Sequence, residues 1–257
     1  MDDNYWHNSA RKLNKNNFQK LWREHSDYIN TDLISRWLPN RPNEASLKTD
    51  IFDEFVCAGL YPCLQTKAKK SYGIDLSEII LKSTRSKYPE MSLLAANVLS
   101  LPFIEDTFDL VISNSTIDHF EYNSQINESL SELYRVLNKG GTIILTMDNL
   151  SNPVVALRNK MPVLLNRIRV VPYYVGATLC LNQLIKIMEL IGFNIIDKCF
   201  IMHCPRAICV AAAYFMKKYS SRKKQLGFLK ILRAFEHLSE LPTKQLTGYF
   251  IAVKATK

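Results

Sequence analysis

The chain has 257 residues, 47% of them apolar, and a formal net charge of +9. That much apolar material excludes a disordered chain and predicts one elaborated α/β domain with a full core. The polar start (MDDNYWHNSARKLNKNNFQ) has no apolar run of export-signal length, and no segment reaches the roughly 18 uncharged apolar residues that span a bilayer. A soluble, cytoplasmic protein is predicted.

The first element is a helix over FQKLWREHSDYINTDLISRWL, where Phe18, Leu21, Trp22, Tyr28, Ile29, Leu33, Ile34 and Trp37 recur at three- and four-residue spacing. Pro39 ends it, because a proline disfavours helical geometry in the residue before it. It can pack on a sheet or cap a pocket. SLKTDIFDEFVCAGL reads as strand one and its turn, with Leu47, Thr49 and Ile51 on the strand end and a helix starting near Glu54 or Gly59. Strand two is Tyr72 to Ile74, followed by a helix that the Ser77 hydroxyl can cap and whose dipole Glu78 complements. SLLAAN is strand three. DLVISN, nearly all apolar, is strand four, as expected of a strand covered on both faces.

The amphipathic stretch from Ile126 to Leu137 is a helix that the glycines of Asn138-Lys139-Gly140-Gly141 end, and TIILTM is strand five. Strands alternating with helices at this spacing predict a parallel sheet with right-handed crossovers. The pattern then changes. A helix broken at Pro162 leads into a loop with Tyr173, Tyr174 and Gly176, and LNQLIKIMELIGF is a helix ended by Gly192. NIIDKCFIMHC is strand six and LTGYFIAVKA strand seven, with a basic helical insert at 206–240 between them.

The six cysteines, Cys57, Cys63, Cys180, Cys199, Cys204 and Cys209, form no C-x-x-C pair and are expected to stay reduced. Strand alternation places Cys199 and His203 on one face and Cys204 on the other, so no metal site is expected there. Between Lys217 and Arg233 lie Lys217, Lys218, Arg222, Lys223, Lys224, Lys230 and Arg233 with no acid among them. Such a run is either a solvated helix face or a surface for an anionic membrane.

Ordered polar residues stand at the carboxyl ends of the strands, where open α/β sheets bind ligands. YGIDLS, the spacing from NVLSLPF to FDLVISNSTIDHF, and RVLNKGG before TIILTM together resemble the class I S-adenosylmethionine-dependent methyltransferases, type 11-like. The resemblance covers residues 47–150 and, more loosely, the whole chain. It implies a doubly wound, seven-stranded, mostly parallel sheet of order 3-2-1-4-5-7-6, with strand seven antiparallel and helices on both faces. The implied organisation is an N-terminal helical cap at 1–45 and a methyltransferase domain at 46–257, whose lid is 149–178.

The resemblance also implies roles for single residues. Asp75 would accept the ribose hydroxyls, as acids at the end of strand two do, with Leu76 beside it; capping the next helix is its other reading. Asn97 and the Val98 amide would meet adenine, although Asn97 also suits a plain turn. Asn114 and Ser115 would line the cofactor at the end of strand four. The first loop departs from the family, since Asp50-Ile51-Phe52-Asp53-Glu54 replaces the glycine run and only Gly59 remains. It resembles a subgroup with TD-hydrophobic-FDE at this position, in which Asp50 and Asp53 would serve the methionine part and Thr49, Phe52 and Gly59 would line the cofactor. A loop that no longer binds is the alternative.

His119 can act as a base toward an acceptor hydroxyl, with Asp118 orienting it or serving in its place; a structural histidine is equally consistent. Asp148, Asn149, Tyr173 and Tyr174 would surround the acceptor. A small-molecule or lipid-linked acceptor is expected rather than nucleic acid, because no RNA-binding module is visible. A catalytically inactive binding protein on the same fold is the competing class. A nicotinamide-dependent oxidoreductase would need a G-x-G-x-x-G turn that strand one lacks.

Overall fold

The computed structural model describes residues 20–38, 43–160 and 176–257. Its seven strands are β1 (Asn43–Lys48), β2 (Ala68–Asp75), β3 (Ser92–Ala95), β4 (Phe108–Asn114), β5 (Leu137–Asp148), β6 (Asn194–Ile201) and β7 (Phe250–Thr256). They form one sheet of order β3-β2-β1-β4-β5-β7-β6. The first five run parallel, and β7 pairs antiparallel with both β5 and β6. The expected topology is therefore the observed one. The order reverses between β1 and β4, so a crevice opens where their carboxyl ends diverge.

Strand alternation decides which layer each side chain enters. Val111, Ile143, Leu145 and Val253 face α5 (Asn123–Val136) and α7 (Leu181–Ile191), meeting Ile126, Leu130, Leu133, Leu184 and Met188. Leu110, Ile112, Ile144 and Ala252 face the opposite way, onto α1 (Lys20–Trp37), α8 (Arg206–Tyr219) and α9 (Arg222–Ala234). The N-terminal helix and the basic insert thus build one layer. Leu33 and Ile34 of α1 are wholly buried in it, beside Cys209, Ala213, Leu229 and Leu232. The short helices α2 (Phe52–Val56) and α3 (Tyr61–Leu64) follow β1, and α4 (Glu78–Lys87) follows β2; Ile51, Tyr61, Ile80 and Leu81 form a smaller core there. Helix α6 (Pro153–Asn159) follows β5, and α10 (Lys244–Thr247) precedes β7.

Several boundaries differ from the sequence reading. Strand β1 stops at Lys48, and Ile51 lies in the turn against β2. That contact needs Gly73, where an added Cβ would sit 2.7 Å from Ile51 Cγ2. The glycines at 140 and 141 do not end α5. Its chain passes from Val136 straight into β5, and Gly140, with φ +73°, follows later. Gly192 does cap α7 in left-handed geometry, at φ +118°. Strand β7 begins at Phe250 rather than Leu246, because residues 244–247 form α10. The break at Pro162 and the tyrosine loop fall outside the described residues.

Because α1 is part of the core, Leu33→Ala should lower unfolding free energy by about 2–5 kcal/mol. A urea midpoint unchanged within error would mean that the helix is peripheral.

Candidate functional site

The first loop is organised by two buried charges. Strand β1 ends in Lys48, whose ammonium donates to Glu54 Oε2 at 2.8 Å and to the Asp50 carbonyl. Both side chains are sealed from solvent, at 1% and 0% exposure. Burial alone would lower the Lys48 pKa, but the charges of Glu54, Asp53 and Asp50 outweigh it and hold Lys48 above its usual range. The other Glu54 oxygen accepts the Leu60 and Tyr61 N–H groups at 2.8 and 3.1 Å. These amides open α3, so one carboxylate caps a helix and pairs a lysine at once. Gly59, at φ +64°, lies directly on that carboxyl group, where a Cβ would come within 2.6 Å. The surviving glycine of the loop therefore serves Glu54.

Helix α1 is tied to this loop twice. Arg23 donates to Asp53 Oδ1 at 2.9 Å and lies over the Phe52 ring, and Asp27 accepts the Gly59 N–H. Burial and the neighbouring Asp53 push Asp27 up to about 7. Phe52 packs toward the small core of Ile51, Tyr61 and Ile80.

A polar lattice joins the strand ends. The Thr49 hydroxyl donates to Ser113 Oγ at 3.0 Å and lies 2.8 Å from Thr116 Oγ1. Asn114 donates to Asp53 Oδ2 at 3.2 Å and accepts from Thr146 Oγ1 at 2.8 Å. Ser115 follows at φ +51°, a left-handed conformation that a side chain rarely adopts and that tends to collect at functional sites. Its N–H is held by the Thr146 carbonyl at 3.0 Å.

At the end of β2, Asp75 Oδ1 accepts the Ser77 N–H at 2.8 Å, and the carboxylate also accepts from the Ile51 amide. Ser77 is the N-cap residue of α4, as expected, but its hydroxyl makes no capping bond. A carboxylate has about four acceptor positions, so two remain at Asp75. Burial, then the charge of Asp50, pushes Asp75 up to about 8; burial raises Asp50 to about 6 despite Lys48. Leu76 follows Asp75 directly. Asn97 is exposed and its carbonyl accepts the Leu99 N–H at 3.0 Å, the plain-turn geometry, while Val98 beside it is buried.

The ends of β4 and β5 hold a second group. Asp118 is buried on the turn Ile117–His119, where its Oδ2 accepts the Asp148 N–H at 2.9 Å. Its Oδ1 has no hydrogen bond and lies 3.9 Å from His119 Nε2. Burial holds the Asp118 carboxyl above its usual range, and Asp148 adds to this. Asp148 accepts from Arg158 at 2.6 Å, and Arg206 approaches its other oxygen at 4.0 Å. Asn149 faces away from this group. Its amide donates to the Gln245 and Gly248 carbonyls at 2.8 and 2.9 Å, fastening β5 to the entry of β7. Gly176 passes so close to the turn that a Cβ would lie 2.5 Å from the Asp118 and Phe120 carbonyls. Tyr173 and Tyr174 lie outside the described residues.

Sequence reasoning thus misses Lys48, Glu54, Arg23, Thr116 and Thr146. A lysine as the last residue of the buried strand NEASLK was a legible signal, since such a charge requires a partner. The others become neighbours only in the fold.

Lys48→Met leaves Glu54 unpaired and should cost about 3–5 kcal/mol, with K48M/E54Q recovering part of the loss. Equal stability of K48M and the parent would refute the pairing. Gly176→Ala forces the chain off the Asp118 turn. It should lower the melting temperature and expose the turn's amides to hydrogen exchange, and unchanged exchange would count against that contact.

Residues 56–145, about a third of the chain, match the family model Methyltransf_11, described as a methyltransferase domain. Asp50 to Glu54 lie just before the matched segment, and Gly59 lies within it. A malonyl-[acyl-carrier protein] O-methyltransferase of Coxiella burnetii is 33% identical over 72 residues, 28% of this chain and 23% of that protein. The chain spans only about a quarter to a third of the length of such curated relatives. An S-adenosylmethionine-dependent methyltransferase from Thermotoga maritima superposes with a TM-score of 0.61 at 17% identity, over 98% of this chain and 99% of that one. Phosphoethanolamine N-methyltransferase 2 of Haemonchus contortus, solved with S-adenosyl-L-methionine, gives 0.58 at 16% identity, over 89% and 52%. This chain therefore has the fold of the class I S-adenosylmethionine-dependent methyltransferases, and its residues 56–145 carry the methyltransferase-domain sequence.

Proposed function

We propose that this protein binds S-adenosylmethionine at the carboxyl edge of β1, β2 and β4 and transfers its methyl group to a small-molecule or lipid-linked acceptor. One observation carries the reading: Asp50 and Asp75 stand together at that edge, both held toward their protonated forms by burial, with the charge of Asp53 adding to this at Asp50 and the charge of Asp50 at Asp75. Carboxylates so placed fit a ligand that brings positive charge and hydroxyl donors. The family match over residues 56–145 supports the same assignment.

In this reading the two remaining acceptor positions of Asp75 take the ribose hydroxyls, with Leu76 against the sugar. Asn97 and the Val98 amide meet the base. Asp50, and Asp53 steadied by Arg23 and Asn114, face the methionine ammonium, so the glycine-poor loop binds by charge; Thr49, Phe52 and Gly59 shape it. Asn114 and Ser115 close the crevice from β4. When bound, the cofactor supplies an electrophilic methyl group. The chain's residues align an acceptor nucleophile in line with it and keep water out, which is where most of the acceleration arises. His119 removes the acceptor proton, with Asp118 beside it as positioning residue. Asp148 lies on the acceptor side.

The loop filled by Glu54 and Phe52 favours one competing reading, a protein that keeps the fold without transferring methyl groups. Calorimetry separates the two at the first step. S-adenosylmethionine and S-adenosylhomocysteine should bind saturably, and Asp75→Asn should weaken them roughly ten- to a hundredfold, as expected for hydrogen bonds to a charged group. No heat at millimolar ligand would overturn the proposal.

The pH dependence has a definite sign. Both carboxylates are raised above their unfolded values of about 3.9, so the unliganded chain loses stability as pH climbs from there through about 6 and 8. A cationic ligand favours the ionised forms and releases protons below pH 8. Its affinity should therefore rise from pH 6 to 8, and the binding enthalpy should change with buffer ionisation heat. A buffer-independent enthalpy would contradict this.

A further inference from the structure

The hairpin of α8 and α9 presents an exposed face that the sheet edge does not use. On α8, Ile208, Ala211, Phe215 and Tyr219 recur every three or four residues, which sets them along one flank of the helix. That flank is in solvent: Ile208 is 70% exposed, Phe215 57% and Tyr219 70%. Phe215 and Tyr219 stack nearly parallel at 6.4 Å between centroids, and the Lys218 ammonium lies 5.0 Å from the centre of the Tyr219 ring. On α9, Leu226 and Ile231 are also exposed, on opposite flanks of the side that Gln225, Leu229 and Leu232 bury. The opposite sides of the two helices are already spent, with Cys209 and Ala213, and Gln225, Leu229 and Leu232, turned into the core.

The structure also sorts the seven basic residues of this segment. Arg222 forms a two-pronged pair with Glu24 at 2.7 and 3.0 Å, and Arg233 lies 3.6 Å from the centre of the Tyr28 ring. Both arginines fasten the hairpin to α1. Lys217, Lys218, Lys223, Lys224 and Lys230 are left exposed, and none of the ion pairs among the described residues involves them. Large apolar side chains in solvent beside uncompensated lysines suit an interface with hydrocarbon below and anionic headgroups above. A nucleic-acid face would instead offer forked and amide donors toward phosphates and bases, which isoleucine and leucine cannot supply. Among the described residues no helix is long and apolar enough to cross a membrane, so the contact would lie on the surface.

We infer that the α8–α9 hairpin is a docking surface for an anionic lipid bilayer, with Ile208, Phe215 and Tyr219 entering the interface and Lys218, Lys223, Lys224 and Lys230 meeting lipid headgroups, while Lys217, about 200° round the helix from Phe215, lies toward Glu24 of α1. Arg206 links this surface to the proposed acceptor side. At the first turn of α8 it approaches Asp148 and covers the rings of Tyr249 and Phe250 at 4.6 and 5.2 Å. A docked hairpin would bring the end of β5 near the lipid surface, which suits a lipid-linked acceptor.

Cosedimentation of the full chain with vesicles tests this without reading methyl transfer, so its outcome is independent of the proposed activity. Vesicles of phosphatidylcholine with about a third phosphatidylglycerol should bind at low salt and release at high salt, and pure phosphatidylcholine should bind weakly. Each lysine charge is worth about fivefold in partition, so K218Q/K223Q/K224Q should lower it on the order of a hundredfold. The double substitution Phe215→Ser with Tyr219→Ser, at exposed positions, should weaken binding at every salt concentration while the circular dichroism spectrum stays unchanged. No partition onto anionic vesicles, or equal partition of the lysine variant, would overturn the inference. Saturable RNA binding without vesicle binding would overturn it in favour of a nucleic-acid face.

Discussion

A lysine and a glutamate sealed inside the first loop set the geometry of everything at the sheet's carboxyl edge. Lys48 cannot leave solvent without a partner, and Glu54 can supply one only if the chain after β1 folds back over the strand end. That return path puts Leu60 and Tyr61 where their amides meet the same carboxylate. It also requires a glycine at position 59, because nothing larger fits between the loop and Glu54. A run of small residues is one way to bring backbone close to a ligand. Here a buried charge pair fixes the loop instead, with Asp50 bonded to the Phe52 amide and Asp53 held between Arg23 and Asn114.

That arrangement explains why the N-terminal helix and the inserted hairpin belong to one layer. Arg23 and Asp27 of α1 grip the loop at Asp53 and Gly59, while Arg222 and Arg233 of α9 grip α1 at Glu24 and Tyr28. A chain of charge-assisted contacts therefore runs from the outer hairpin to the proposed cofactor edge. On the other side, the Asp118 turn, Asp148 and Arg158 form a buried cluster that the segment leading into α7 covers at Gly176 and Thr178.

The fold was largely legible in the sequence because apolar periodicity reports burial directly. Leu110 and Ile112 alternate with Val111 across two layers, and the helix ending at Gly192 announces itself by the left-handed residue that closes it. Boundaries failed where tertiary contacts override local signals. The glycines at 140 and 141 look like a helix cap, yet the helix stops at Val136 by entering a strand. Ser77 does stand at the N-cap of α4, yet its hydroxyl makes no capping bond, and its own amide is held by Asp75.

The position of Asp75 at the end of β2 was legible, because a strand end can be read from one short run of sequence. Contacts between residues far apart in sequence, such as Arg23 with Asp53, or Asn114 with Thr146, were opaque. Asn149 shows the reverse case, since a polar residue at the right edge turns out to stitch two strands together.

The most direct test is a crystal structure with S-adenosylhomocysteine bound. The account predicts both ribose hydroxyls on the Asp75 carboxylate, the amino group beside Asp50 and Asp53, and the Lys48–Glu54 pair unbroken beneath them. A ligand lodged elsewhere, or a loop that must separate Lys48 from Glu54 to admit it, would contradict the account.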